Sequence, residues 1–108
     1  MTRKKNIKFL GIDIGGAHLK IVGLDYGNKI ILASQIKCPV WKGKHYIEKS
    51  FNIIREIAPN AIFGITMTAE LCDNFNDRRE GVKEIIAIIK KTQNKKYFFT
   101  FNIKKYFK

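Results

Sequence analysis

The chain has 108 residues, 45% apolar and 12% aromatic, with 21 basic side chains against 9 acidic and a formal net charge of +12. That length suits one domain with a real core and leaves no room for a second lobe of similar size, while the apolar content excludes wholesale disorder. No run of eighteen apolar residues occurs, and Met1-Thr-Arg-Lys-Lys5 leads into a strand without a cleavable apolar region, which argues against a membrane span or a secretory signal and for the cytoplasm.

The first predicted strand covers residues 6–14. Its alternation sets Phe9, Gly11 and Asp13 on one face and Leu10, Ile12 and Ile14 on the other, so Asp13 stands near the strand's end as a carboxylate able to hold a metal or water beside a phosphate. Gly15 and Gly16 follow. Without a Cβ they let backbone N–H groups approach an anion closely, but Gly-Gly between apolar runs also makes a plain hairpin turn, and an Asp before a turn can bond its backbone. A second strand over 17–25 places His18 and Lys20 on one face, where Lys20 can reach an oxyanion as a point charge.

A third strand over 28–37 follows Tyr26-Gly27-Asn28, in which Gly27 and Asn28 tolerate positive φ. After Pro39 the spacing predicts a loop over 39–44, and then a helix with Ile47, Phe51, Ile54 and Ala58 on one face, stopped by Pro59. Trp41, in that loop, reads as a packing anchor or a lid, because indole has one donor and no titratable proton. Residues 61–66 form an apolar run suited to a buried strand beside the first. Asp77-Arg-Arg-Glu80 resembles a capping box, and Val82, Ile85, Ile86 and Ile89 form the buried stripe of a second helix. The order β-β-β-α-β-α is that of an α/β ribonuclease-H-like half-lobe, and it argues against a helical bundle or a β-sandwich.

Between the fourth strand and the second helix lies Thr66-Met-Thr68-Ala-Glu70-Leu-Cys72-Asp73-Asn-Phe-Asn-Asp77. Ligands of open α/β sheets bind outside the carboxyl ends of strands, which makes Thr66, Thr68 and Asp73 candidates for a substrate loop and Glu70 a candidate catalytic group. Thr68 as a helix cap and Glu70 against the helix dipole would explain the same residues structurally. Cys38 and Cys72 are far apart, without a Cys-x-x-Cys or a nearby histidine pair, and are expected to be reduced, partly buried thiols.

Seven lysines and no acid fall within residues 90–108, leaving +5 for residues 1–89. The charge excess is therefore largely a property of the tail, where a solvated lysine-rich end and non-specific polyanion binding are alternatives. Tyr97, Phe99, Phe101 and Ile103 alternate as a half-buried strand does, an extra strand that explains the aromatics without a stacking surface for nucleic acid. No specific nucleic-acid partner and no membrane partner is expected. Residues 93–108 use only Gln, Asn, Lys, Tyr, Phe, Thr and Ile, a set rich in A/T codons, so 90–108 is read as a frameshifted or truncated end to a domain of residues 1–89.

Gly11-Ile-Asp-Ile-Gly-Gly16 with Lys20 resembles the first phosphate motif of the actin, sugar-kinase and heat-shock-chaperone superfamily, whose members share a ribonuclease-H-like lobe; Ala17 stands where many relatives carry a hydroxyl. Together with Cys38-Pro-Val-Trp-Lys-Gly43, Thr66 to Phe75 and Glu80-Gly-Val82, the stretch 7–89 resembles hydantoinase/oxoprolinase-related archaeal proteins of tetrahydromethanopterin-linked one-carbon metabolism, in the branch of the methanofuran-biosynthesis synthases. The resemblance implies a transferase that joins an aminomethylfuran-methyl diphosphate to γ-glutamyltyramine with loss of pyrophosphate. It implies that Gly15, Gly16, His18 and Lys20 hold diphosphate, that Asp13 and Glu70 are the catalytic residues and face metal or water, and that Asp13 contacts Mg²⁺ indirectly. It also implies a partner, a second lobe or a downstream-encoded subunit, without which this chain is expected to be inactive. An ATP-dependent small-molecule kinase lobe of the same superfamily and a non-enzymatic polyanion-binding protein are the alternatives.

Overall fold

A computed structural model of the chain describes residues 6–67, 77–92 and 97–99. The elements are β1 (Phe9–Ile14), β2 (His18–Leu24), β3 (Ile30–Lys37), a 3-10 turn (Val40–Lys42), α1 (His45–Ile57), β4 (Ile62–Met67), α2 (Arg78–Thr92) and β5 (Tyr97–Phe99). The strands make one sheet in the order β3-β2-β1-β4-β5. β1 pairs antiparallel with β2 and β2 with β3, whereas β1 and β4, and β4 and β5, run parallel. This is the ribonuclease-H-like half-lobe that the sequence pattern predicts, and β5 is the extra strand expected after the second helix. Phe101 and Ile103, assigned to the same strand by their alternation, lie outside the described residues.

Period-2 alternation decides which face of the sheet is covered. Leu10, Ile12 and Ile14 of β1, Leu19 and Ile21 of β2, and Phe63, Ile65 and Met67 of β4 are buried in one cluster with Ile47, Phe51 and Ile54 of α1 and Ile85 and Ile89 of α2. Both helices therefore pack on the same side of the sheet. α1 buries Ile47, Ser50, Phe51, Ile54 and Ile57, the i, i+3, i+4 stripe of an amphipathic helix, and the Phe51 ring meets Phe63 at 6.5 Å and 52°. The helix ends before Pro59, where the Ala58 N–H still donates to the Ile54 carbonyl at 2.9 Å.

The start of α2 is capped as its sequence suggests, the Glu80 N–H donating to Asp77 Oδ1 at 2.8 Å. In its stripe Ile85 and Ile89 are fully buried, while Val82 and Ile86 pack half-buried at the margin. The helix runs past residue 89 and ends at Thr92. Lys44, at the start of α1, reaches Glu84 of α2 at 2.7 Å, a partly exposed pair worth about 0.2–1 kcal/mol.

In the β2–β3 turn Asn28 takes the left-handed conformation, with φ of 64°, and no glycine does. Asp25 organises this turn. Its Oδ1 accepts the N–H groups of Gly27 at 2.8 Å and Lys29 at 2.9 Å, a role for Asp25 that the reading of Gly27 and Asn28 passed over. Among the described residues no helix is long and apolar enough to cross a membrane. Ile85→Ala should cost about 2–5 kcal/mol in chemical denaturation, and Ile53→Ala, at an exposed position of α1, within about 0.5 kcal/mol.

Candidate functional site

The face of β1 turned away from the helices is bare among the described residues. Because Leu10, Ile12 and Ile14 point into the core, Gly11 and Asp13 point out; on β2, with Leu19 and Ile21 inside, His18, Lys20 and Val22 point out as well. The register then sets Asp13 opposite Lys20 on β2 and beside Thr66 on β4, with Lys20 opposite Gln35 on β3. Gln35, Lys20, Asp13 and Thr66 thus form one row across four strands, with directly opposed Cβ atoms roughly 4.5–5.5 Å apart. Toward the strand ends, His18 pairs with Lys37.

This row lies at the carboxyl ends of β1 and β4, where α/β sheets receive ligands. Asp13, Lys20 and Thr66 make no side-chain hydrogen bond or ion pair among the described residues. Asp25 shows the contrast, since its carboxylate is consumed by its own turn. The alternative of an acid that merely bonds the turn beside it therefore describes Asp25 and not Asp13. Lys20 and Lys37 against Asp13 give this end a cationic bias, which suits an anion.

The β1–β2 turn is tighter than a glycine pair needs for flexibility. The Gly15 N–H donates to the His18 carbonyl at 3.0 Å, and a Cβ on Gly15 would stand 3.0 Å from that same oxygen. Gly15 is thus required for close approach, and its N–H is spent in closing the hairpin. The Gly16 carbonyl accepts the Val40 N–H at 3.0 Å and the Ala17 carbonyl accepts the Cys38 N–H at 2.9 Å. Of the turn's backbone groups, the N–H groups of Gly16 and Ala17 keep no acceptor among the described residues.

Below the charged row, Gly11 sits in register with Gly64 on one side and Val22 on the other. These three and Asp13, Lys20 and Thr66 border a shallow depression. A Cβ on Gly11 would meet nothing nearer than the Val22 carbonyl oxygen at 3.8 Å, so the hollow above it is open. Asp13 is a single carboxylate, and among the described residues no group of three His, Cys, Asp or Glu side chains gathers to hold a metal. One carboxylate beside a phosphate fits Mg²⁺, which keeps most of its waters and binds through phosphate oxygens.

Of the residues singled out from sequence, the fold brings together Asp13, Gly15, Gly16, His18, Lys20 and Thr66. Thr68, Glu70 and Asp73 lie outside the described residues. Gln35 and Lys37 were passed over. Their period-2 spacing on β3 was the available signal, but it acquires meaning only once β3 is placed beside β2 in this register.

No protein-family model matches the chain. It is 37% identical over 89 residues to the (4-{4-[2-(gamma-L-glutamylamino)ethyl]phenoxymethyl}furan-2-yl)methanamine synthase of Methanocaldococcus jannaschii, an overlap that covers 82% of this chain and 26% of that protein. The chain thus spans about a quarter of the length of the curated relative it matches. A crystal structure of an exopolyphosphatase-like protein aligns with a TM-score of 0.42 and 17% identity, over 94% of this chain and 34% of that one.

The two glycines of β1 and its turn should behave differently. Gly15→Ala forces a Cβ against a backbone carbonyl and should destabilise by about 1–3 kcal/mol, whereas Gly11→Ala, entering open space, should stay within about 1 kcal/mol. Urea denaturation of the two variants checks the order.

Proposed function

We propose that this end of the sheet binds the diphosphate of a small-molecule substrate, and that the chain is the diphosphate-binding lobe of a transferase like its archaeal relative. The observation that carries the reading is a coincidence at one place: Lys20 in register with an uncommitted Asp13, beside a turn whose Gly16 and Ala17 N–H groups lack acceptors among the described residues. Backbone N–H groups and a lysine are what a transferring or departing phosphate requires.

The product in the relative's name contains a phenoxymethyl link to a furan, which defines the bond to be made. In the proposed reaction the phenol oxygen of γ-glutamyltyramine attacks the methylene of an aminomethylfuran-methyl diphosphate. A carbon–oxygen ether bond forms, the methylene–diphosphate bond breaks, pyrophosphate departs with the bonding electrons, and the phenolic proton passes to a base. Lys20 and the turn amides stabilise the negative charge that accumulates on the leaving group, and His18 flanks them. Asp13 would hold Mg²⁺, which would supply positive charge to the diphosphate; Thr66 stands beside Asp13 in register, Glu70 is the proposed base, and Thr68 and Asp73 are proposed to contact substrate. The same proposal includes a complementary lobe over the bare face, because donors on one side alone leave the diphosphate wet and screen Lys20.

Two measurements test this. Magnesium pyrophosphate titrated into the labelled chain should shift the amide resonances of Gly16 and Ala17. Lys20→Ala should weaken binding about tenfold, consistent with loss of a charge-assisted contact, and Asp13→Asn should remove the dependence on Mg²⁺. Absence of shifts at Gly16 and Ala17 overturns the reading. The second measurement is pyrophosphate release from the furan diphosphate and γ-glutamyltyramine: the 108-residue chain should release none alone and should do so when combined with the remaining portion of the archaeal relative. Full turnover by the chain alone would remove the complementary lobe, and no turnover by the assembled pair would remove the transferase.

A further inference from the structure

Trp41 has no place in the core. It is 60% exposed, which sets aside the packing-anchor reading and leaves the lid, and the backbone of its turn is hydrogen-bonded. The 3-10 turn that carries it is closed by the Lys42 N–H on the Pro39 carbonyl at 2.9 Å and the Gly43 N–H on the Val40 carbonyl at 3.0 Å. Val40 and Cys38 are fully buried and donate their N–H groups to Gly16 and Ala17. Trp41 is therefore one residue, about 3.8 Å of backbone, from a group bonded directly to the turn whose amides face the proposed diphosphate. Beside it, Lys42 Nζ stands 5.1 Å from the indole centroid, a cation–π distance.

An exposed indole on a hydrogen-bonded turn, an ammonium beside it, and a hairpin turn with two backbone N–H groups that keep no acceptor among the described residues are thus tied together through the backbone. The chemistry they suit is an aromatic ring joined to a diphosphate. We propose that Trp41 is the ring platform of the site, stacking the heteroaromatic ring of a furan-3-ylmethyl diphosphate while Lys42 adds positive charge beside its phosphates. This rests on the diphosphate reading above and deepens it by assigning the part of the substrate that pyrophosphate lacks. Stacking of offset rings contributes enough to change affinity severalfold, and the exposed position of Trp41 means that replacing it leaves the core untouched.

Trp41 is the sole tryptophan of the chain, so its emission reports this place alone. The full chain is titrated in Mg²⁺ with pyrophosphate, furan-3-ylmethyl diphosphate and ADP, following tryptophan emission and the amides of Gly16 and Ala17. Pyrophosphate should shift the amides and leave the emission nearly unchanged. The furan diphosphate should shift the same amides, quench the emission and bind about 3- to 10-fold tighter than pyrophosphate. Trp41→Ala should abolish that gain with pyrophosphate affinity unchanged, and Trp41→Phe should restore part of it. Equal affinity for the two ligands with unaltered emission, or an undiminished gain in Trp41→Ala, overturns the platform while leaving the diphosphate reading intact. A gain confined to ADP overturns the furan assignment. Absence of amide shifts with every ligand overturns both readings.

Discussion

The register of β1 between β2 and β4 is the constraint on which the open end of the sheet depends. Side chains alternate with a period of two, so a slip of one residue would carry Asp13 beneath α1 and α2 and expel Ile12 or Ile14 to solvent. Burial of Leu10, Ile12 and Ile14 against Leu19, Ile21, Phe63 and Ile65, at roughly 1.5–3 kcal/mol for each large side chain, prevents that slip. A carboxylate placed there without a partner would cost more still. The row of Gln35, Lys20, Asp13 and Thr66 is consequently the reverse side of the hydrophobic core: the apolar residues set the spacing, and the polar residues inherit it.

The second constraint is on the backbone. A turn that is to bind an anion must hold its N–H groups still before the anion arrives, because donors that reorient on binding return part of the gain. Here the segment leaving β3 supplies the rigidity. Cys38 and Val40 are buried, their N–H groups hold the carbonyls of Ala17 and Gly16, and Gly15 closes the hairpin on His18. The same two bonds tie the start of the 3-10 turn to the first hairpin, so the two backbone segments are held together. The opposite end of the sheet has a hairpin of the other kind, in which Asp25 fills its own turn with hydrogen bonds. Two aspartates, each near a glycine-containing turn, thus have opposite uses, one structural and one left available.

The bare face bears on how strong any charge interaction there can be. Parallel strands are ordinarily covered on both faces, yet among the described residues Gly11 and Gly64 leave a hollow on the side of β1 and β4 turned away from the helices. In water Lys20 at about 4 Å from an anion contributes on the order of 1 kcal/mol, and several times that once solvent is excluded. Covering this face would therefore strengthen the same residues without moving them, which is the physical reason for proposing a complementary lobe.

Much of this protein was legible in the sequence. Alternation in 6–14 separated Asp13 from Leu10, Ile12 and Ile14, the helical stripes named Ile47, Phe51, Ile54, Ile85 and Ile89, Pro59 ended α1, and Asp77 capped α2. These are local consequences of period, propensity and capping. What the sequence left undecided depended on partners distant along the chain. Gly15 looked like a donor to an anion and is a donor to His18; Asp13 and Asp25 looked alike; Gln35 and Lys37 acquired neighbours only when β3 settled beside β2; and Trp41, a packing anchor or a lid by sequence, proved exposed on its turn. By itself the sequence determined which residues are apolar, at which spacing, and hence the elements and the covered face. Tertiary structure decided which polar groups remain unpaired, because hydrogen-bond partners and strand neighbours are properties of register and packing, and neither is written in any single segment.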